Sequence, residues 1–300
     1  MTVKNKLTTA LLIFCFIAIL KAGAKSPDSM PSGTLNQENE PLTTIRPVTS
    51  AYTFAIGSSE LADTYLTPII YRGWSTQFQY SRLQAMAFNP ERWVMDLTFG
   101  ARLSRGNNPG RNANIWQINL KASWAMMHRW QLPARITLAL GGYTAIDAGA
   151  LYLARNGNNP ATAKAAWNVG VKAYATYPFK IGCVKMMARW QGELPVAGVF
   201  FAPQYGELYY EIYLGNRNGL VHPSWWSNYF GIDNDVTLDI NCGTNWLRVG
   251  YRSNVLSTHI NHTTTRIVSN QFVIGFVGEW TWMRHASRVS PNTRIISALY

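Results

Sequence analysis

The stretch RWVMDLTFGARLS, residues 92–104, decides the fold. Trp93, Met95, Leu97, Phe99, Ala101 and Leu103 share one parity, and Asp96, Thr98, Gly100, Arg102 and Ser104 share the other. Side chains point alternately to the two faces of a strand, so this segment carries one apolar and one polar face. Asn114–Trp124 repeats the pattern: Trp116, Ile118, Leu120, Ala122 and Trp124 alternate with Gln117, Asn119, Lys121 and Ser123.

The same period extends outward in both directions. It marks Ala51–Gly57, Gly73–Gln84, Arg135–Tyr143, Ala166–Tyr177, Cys183–Trp190, Glu207–Leu214, Asp235–Asn241, Trp246–Arg252 and Gln271–Trp282. If these segments cross a layer alternately up and down, one more crossing must lie between Glu207–Leu214 and Asp235–Asn241. Leu220–Phe230 is the candidate, and Pro223 predicts a short strand that begins after it. That makes twelve strands. Ten is the alternative, if Ala51–Gly57 and Leu220–Phe230 are not strands.

A soluble sandwich also alternates. Three features favour an antiparallel up-and-down transmembrane β-barrel over residues 51–300. Aromatic residues cluster toward segment ends, as girdles require: Trp74, Trp93, Trp116, Trp124, Trp167, Trp190, Trp280 and Trp282. The polar faces carry charges of both signs. The connections alternate in length, short around Asn89–Glu91, Pro178–Lys180 and Cys242–Asn245, and long over Ser58–Arg72, Thr144–Ala165, Gln191–Gly206 and Ser253–Asn270. Outer-membrane barrels have short periplasmic turns and longer outer loops.

The first residues fit export to that membrane. Lys4 and Lys6 precede an apolar run, Leu7–Leu20, of signal-peptide length, and Ala22-Gly23-Ala24 suits cleavage after Ala24. Cys15 lies inside the run, not after a cleavage site, so no lipoprotein is expected. Residues 25–50 are rich in Ser, Thr, Pro, Asn and Glu and read as a flexible periplasmic lead-in. The formal charge is +12; removing Lys4, Lys6 and Lys21 leaves +9. The basic residues stand singly rather than in runs, so nucleic acid is not an expected partner. Anionic lipid head groups or an anion-lined lumen suit the spacing better.

The polar-face charges are the candidate site. Asp96, Arg102, Lys121, Arg135, Lys172, Lys185, Arg189, Glu207, Glu211, Asp239, Arg248 and Glu279 should face the lumen, because an ionised group facing lipid costs several kcal/mol. They would form either a salt-bridged filling or the lining of a narrow pore. No catalytic set is selected. Ser257 near His259, or Ser75, could enter a triad, but triads are recognised by geometry. His259 and His262 lack a third metal ligand nearby, so neither metal nor cofactor is expected. Arg105–Gly110 and Asn156–Pro160 are surface turns. Cys183 and Cys242 fall at the periplasmic end on opposite parities and should be free thiols.

Four stretches carry a resemblance: Gly73-Trp74, Phe88-Asn89-Pro90-Glu91-Arg92-Trp93, Tyr205-Gly206-Glu207-Leu208-Tyr209-Tyr210-Glu211 and Leu247-Arg248-Val249-Gly250-Tyr251. With them the chain is similar to a family of outer-membrane β-barrel proteins from anaerobic gut Gram-negative bacteria, known only as a domain of unknown function. The resemblance covers most of the chain after residue 60 and implies a barrel, with no catalytic residues to carry over. The function expected is a structural or small-solute, porin-like barrel. Its partners would be outer-membrane lipid and the barrel-assembly machinery. An outer-membrane lipid-modifying enzyme and a soluble periplasmic lipid carrier are the alternatives.

Overall fold

The computed structural model describes residues 43–157, 159–216, 218–280 and 293–299. The proposed signal segment with its cut after Ala24, most of the lead-in 25–50, and Trp282 lie outside them. Seven long strands follow one another: β2 (Val48–Asp63), β3 (Thr67–Ala85), β4 (Trp93–Asn107), β5 (Asn114–Gln131), β6 (Thr137–Leu153), β7 (Ala161–Ile181) and β8 (Val184–Phe201). After an excursion come β10 (Tyr229–Asn241), β11 (Trp246–Ile260) and β12 (Thr263–Trp280). Each pairs antiparallel with the next, β12 pairs with β2, and β8 pairs with β10, so these ten strands close into a barrel. Closure pairs each of the ten strands with two neighbours, as lipid requires of strands, although Tyr229–Ile232 of β10 pair with β11 alone. Two short strands, β1 (Thr43–Ile45) and β13 (Thr293–Ile295), pair parallel to each other outside the wall.

Ten, not twelve, is the strand number, but by a different route from the sequence alternative. Ala51–Gly57 is barrel wall, in the middle of β2. Glu207–Leu214 is not: Tyr209–Tyr213 forms a short helix, α1, and the Glu211 carboxylate caps it by accepting the Leu208 backbone N–H at 3.1 Å. Local capping outweighs an alternation of only three apolar positions. Leu220–Phe230 yields a five-residue strand, β9 (Val221–Trp225), which pairs with the end of β8. Pro223 lies inside β9 rather than before it. β9 has a partner on one side only, where Val199 faces Pro223, and an edge strand tolerates a residue that cannot donate.

The four long loops of the sequence reading are mostly wall. Ser58–Asp63 pairs with Thr265–Asn270, and the β11–β12 turn is only Asn261-His262, both with positive φ. Beyond the apolar belt a strand needs no apolar face, so its period-two signal fades while its backbone ladder continues. Opposite ends of the barrel can now be told apart. The terminal mouth holds β1, β13 and the turns 86–92, 132–136, 182–183 and 242–245; the distal mouth holds 64–66, 108–113, 154–157, 159–160, 202–216, 218–228 and 261–262. Cys183 and Cys242 sit exposed and free in two of the terminal turns.

Facing follows the alternation. Tyr52, Phe54, Ile56, Phe78, Phe99, Ile118, Leu120, Ile146, Ile274 and Phe276 all point outward and are exposed. Their neighbours in sequence, Thr53, Ala55, Gln77, Thr98, Gln117, Ala145, Val273 and Val277, are buried inside. Phe54 lies near mid-strand, opposite Phe78 and Ile274 on its two neighbours, and remains 47% exposed. In a bilayer Phe54→Arg is expected to cost about 2–4 kcal/mol, as an arginine does at the midplane of a barrel. Urea unfolding in liposomes measures it, and an unchanged midpoint would mean that this face does not meet lipid.

Candidate functional site: the barrel lumen

The inward faces are layered along the barrel axis. At the terminal mouth Leu83, Val94, Ala125, Met127, Tyr174 and Met187 form a buried apolar cluster together with Ala298 and Leu299. The chain after β13 therefore turns back into the mouth. Arg129 holds it there: Nη1 donates to the Ser297 carbonyl at 2.8 Å and the Ala298 carbonyl at 3.1 Å. The same guanidinium donates to the carbonyls of Pro90 and Glu91, each at 3.1 Å. Tyr174 adds its hydroxyl to the Ala298 carbonyl at 3.3 Å. At the distal mouth Leu61, Leu66, Tyr71, Ile115, Leu151, Leu153 and Ile267 make a second apolar layer. Phe200, Ala202 and Tyr229 form a third cluster beside it.

Charged groups span the lumen between these layers. Lys172 is 0% exposed, as is Asp96, and its Nζ lies 3.0 Å from Asp96 Oδ2 and 2.7 Å from Glu193 Oε1. The other Glu193 oxygen receives Lys121 Nζ at 2.6 Å, and Lys121 reaches Asp233 at 2.6 Å. This Asp96–Lys172–Glu193–Lys121–Asp233 chain joins β4, β7, β8, β5 and β10, five of the ten strands. Nearer the terminal mouth Arg248 clasps Asp239 with two bonds of 2.7 Å, and Arg252 clasps Asp235 with two of 2.8 Å. Toward the distal mouth Lys164 pairs with Asp63 at 2.6 Å. Neutral groups fill the remaining valences: Arg102 Nε donates to Gln77 at 3.1 Å, Arg189 to Gln191, and Asn119 to Asp147 at 3.3 Å. Both partners of each pair leave water together, so only good geometry with extra hydrogen bonds recovers the desolvation cost.

The sequence candidates divide accordingly. Asp96, Arg102, Lys121, Lys172, Arg189, Asp239 and Arg248 lie in the lumen. Arg135 does not. It stands exposed with positive φ in the turn Pro133–Arg135, because β6 starts only at Thr137. Lys185 is exposed as the second residue of β8, just past the β7–β8 turn. Glu279 is exposed at the terminal rim, where it accepts hydrogen bonds from Thr49 and Ser297. Glu207 and Glu211 belong to the distal excursion; Glu207 is buried but bonds to the Gln204 N–H and Asn216. Glu207 also offers its backbone carbonyl to the Tyr65 hydroxyl at 2.6 Å. Burial, with Tyr209, Glu207 and Asp63 nearby, pushes the Tyr65 hydroxyl up to about 12. Glu193, Asp233, Asp235, Arg252, Asp147 and Lys164 complete the lumen and were not among the sequence candidates.

The tryptophans occupy several levels of the outer wall. Trp74 and Trp116 meet edge to face at 6.0 Å in the distal half, with the Arg105 guanidinium over Trp116. Trp167 is also distal, opposite Ile146 and Val199. At the terminal rim Trp93 packs on His128, which packs on Trp130, and Trp280 is exposed at the end of β12. Trp124 and Trp190 lie between these levels.

Small cavities remain inside. One, of about 100 Å³, lies between the distal apolar clusters and the Lys121 chain. Cavities of about 30 and 10 Å³ follow toward the terminal mouth, around Gln191 and Arg252. Among the described residues no group of His, Cys, Asp and Glu could hold a metal ion. His259 instead bonds Thr264 at 2.8 Å.

Over residues 10–287 the chain matches the family described as Protein of unknown function (DUF3316), and it belongs to that family. No curated protein matches it. Several solved structures resemble the barrel. The β domain of the Bordetella autotransporter Brka is 11% identical, with 79% of this chain and 100% of that chain covered, at a TM-score of 0.34. The COG4313 outer membrane channel from Pseudomonas putida F1 is 8% identical, with 83% and 100% covered, at 0.34. Outer membrane protein AlkL in DMPC lipid bilayers is 9% identical, with 86% and 100% covered, at 0.28. Likeness at this level carries no argument about this chain.

Proposed function

We propose that this member of the family is an outer-membrane barrel of the structural type, closed at rest, with no open path for solutes through its lumen. The observation that carries this is the Asp96–Lys172–Glu193–Lys121–Asp233 chain, which ties opposite walls together across the axis. Apolar layers lie on both sides of it, and the cavity beside it measures only about 100 Å³. A water-filled porin has a polar, open interior over its whole length.

Residence in lipid is supported by the polarity of the wall. Large apolar side chains face out and ion pairs face in, the inverse of a soluble carrier with a greasy interior. Exposed Arg92, Arg135, Lys180 and Lys185 ring the terminal mouth, while Arg111 and Arg155 stand at the distal one. Such rims suit anionic head groups. With β1 and β13 paired at one mouth, that mouth is assigned to the periplasm and the excursion after β8 to the outside. Lipid and the barrel-assembly machinery are then the partners, and no reaction is assigned.

Liposome swelling tests the closed state. Vesicles carrying the full-length protein should swell in arabinose no faster than empty vesicles. Swelling at porin-like rates would refute the closed lumen. A protein recovered from the periplasm without detergent would refute the location.

A further inference from the structure

We propose that the wall has a side entrance between β8 and β10, through which the apolar chain or ring of a small amphiphile passes from the outer leaflet into the 100 Å³ cavity. The proposal rests on the barrel's residence in the membrane with closed mouths. Elsewhere the long strands pair along the wall, interrupted only by register shifts near Leu61–Asp63 in β2–β3 and Val169–Gly170 in β7–β8. Between β8 and β10 the pairing stops at Glu193 opposite Asp233; from Ala197 opposite Trp225 onward β8 pairs with β9 instead, and Tyr229–Ile232 of β10 pair only with β11. Residues 194–196 of β8 thus face residues 226–232, an excess of four residues on one side. Pro195 stands in the middle of the short side and has no N–H to donate.

What closes this gap is weak and lies in side chains. The Pro195 ring sits against Gly231, where an added Cβ would come within 3.0 Å of Pro195 Cγ. The Trp226 indole N–H donates to the Pro195 carbonyl at 2.8 Å. Separating β8 from β10 here breaks that single bond and no ladder bonds. Elsewhere each residue of separation would break backbone pairs that lipid cannot replace.

The cavity lies directly behind the gap, since Pro195, Gly231 and Ile232 are part of its lining. Its lining is mixed, with Phe200, Leu256, Ile267 and Leu151 among its apolar groups and Lys121, Asp147 and Asn168 among its polar ones. An apolar body with one hydrogen-bonding end matches that mixture. A cavity of ~150 Å³ with apolar walls takes up benzene, so about 100 Å³ admits a chain end or a compact ring rather than a whole lipid. The flanks of the gap suit the bilayer interface: Trp225 and Trp226 are 60% and 57% exposed, and Phe230 and Val196 are exposed beside them.

The test uses the full-length protein in liposomes with Cys183→Ser and Cys242→Ser, and a diazirine-bearing short-chain alcohol as probe. Photolabelling should reach the cavity walls, on peptides containing Phe200 and Leu256. Adding Pro195→Cys and Gly231→Cys lets oxidation staple the gap. Internal labelling should then fall at least tenfold and return on reduction, while labelling of outward residues such as Phe54 stays constant. Ala166→Phe, which fills the cavity from its lining, should abolish internal labelling with the gap left free. Internal labelling that persists in the stapled protein would overturn the side entrance; if ion conductance accompanied it, the closed-mouth reading would have failed as well. Labelling confined to outward residues in the unstapled protein would overturn the site itself.

Discussion

Lys172→Met is expected to lower the stability of the barrel by about 3–5 kcal/mol, the usual cost of removing one partner from a buried ion pair. Lys172 lies between two carboxylates, Asp96 and Glu193, and none of the three is open to water. Without the ammonium the two acids face each other with Thr98, whose hydroxyl donates to Asp96 at 3.1 Å, as the nearest remaining donor. Lys121 still holds the far oxygen of Glu193, so Asp96 bears most of the loss. Adding Asp96→Asn should therefore recover a large part of the stability. Urea midpoints in liposomes measure both variants. Equal midpoints for the wild type and Lys172→Met would mean that water reaches this site and the lumen is not filled.

Arg129→Met is expected to free the segment that turns back into the terminal mouth. The native guanidinium makes four hydrogen bonds, two to strand-connecting carbonyls at Pro90 and Glu91 and two to Ser297 and Ala298. Hydrogen bonds to a charged group contribute about 1.5–3 kcal/mol each when buried, and they are not additive. A loss of about 3 kcal/mol in docking corresponds to about a hundredfold shift toward the undocked form. Hydrogen exchange at the Leu299 amide, which donates to Ser297 Oγ at 3.2 Å, should accelerate by that factor. Retention of native protection would show that Leu299 and Ala298 are held by their apolar contacts alone.

The wall of this barrel was legible because period two is a strong signal wherever one side of a strand meets lipid. Trp93 to Leu103 and Trp116 to Trp124 could be assigned a face residue by residue. The distal strand extensions were not legible. Thr263–Ser269 carries polar residues on both faces, and its place in the wall is fixed by pairing with β2 and β11, which no local pattern reveals. The excursion failed for the opposite reason, since three alternating residues in Glu207–Leu214 imitate a strand.

The lumen was half legible. Asp96, Lys121 and Lys172 stood on polar faces of clean alternating segments. Their partner Glu193 did not, because Gly192 and Pro195 flank it and read as a loop. Pro195 also marks the place where the β8–β10 ladder has ended, so part of what hid Glu193 is also the gap in the wall. Asp233 was missed because it precedes the alternating part of β10. Arg189 and Arg248 could be placed inside from parity, but only the register of β8, β10 and β11 shows that Asp239 lies opposite Arg248 while Arg189 faces Thr237.

The central claim is that the lumen is filled and closed, and recording from the full-length protein in a planar lipid bilayer tests it most directly. The account predicts insertion without stepwise current at moderate voltage and physiological salt, because ion pairs and two apolar layers occupy the axis. Long-lived, ohmic single-channel steps from the unmodified protein would contradict it.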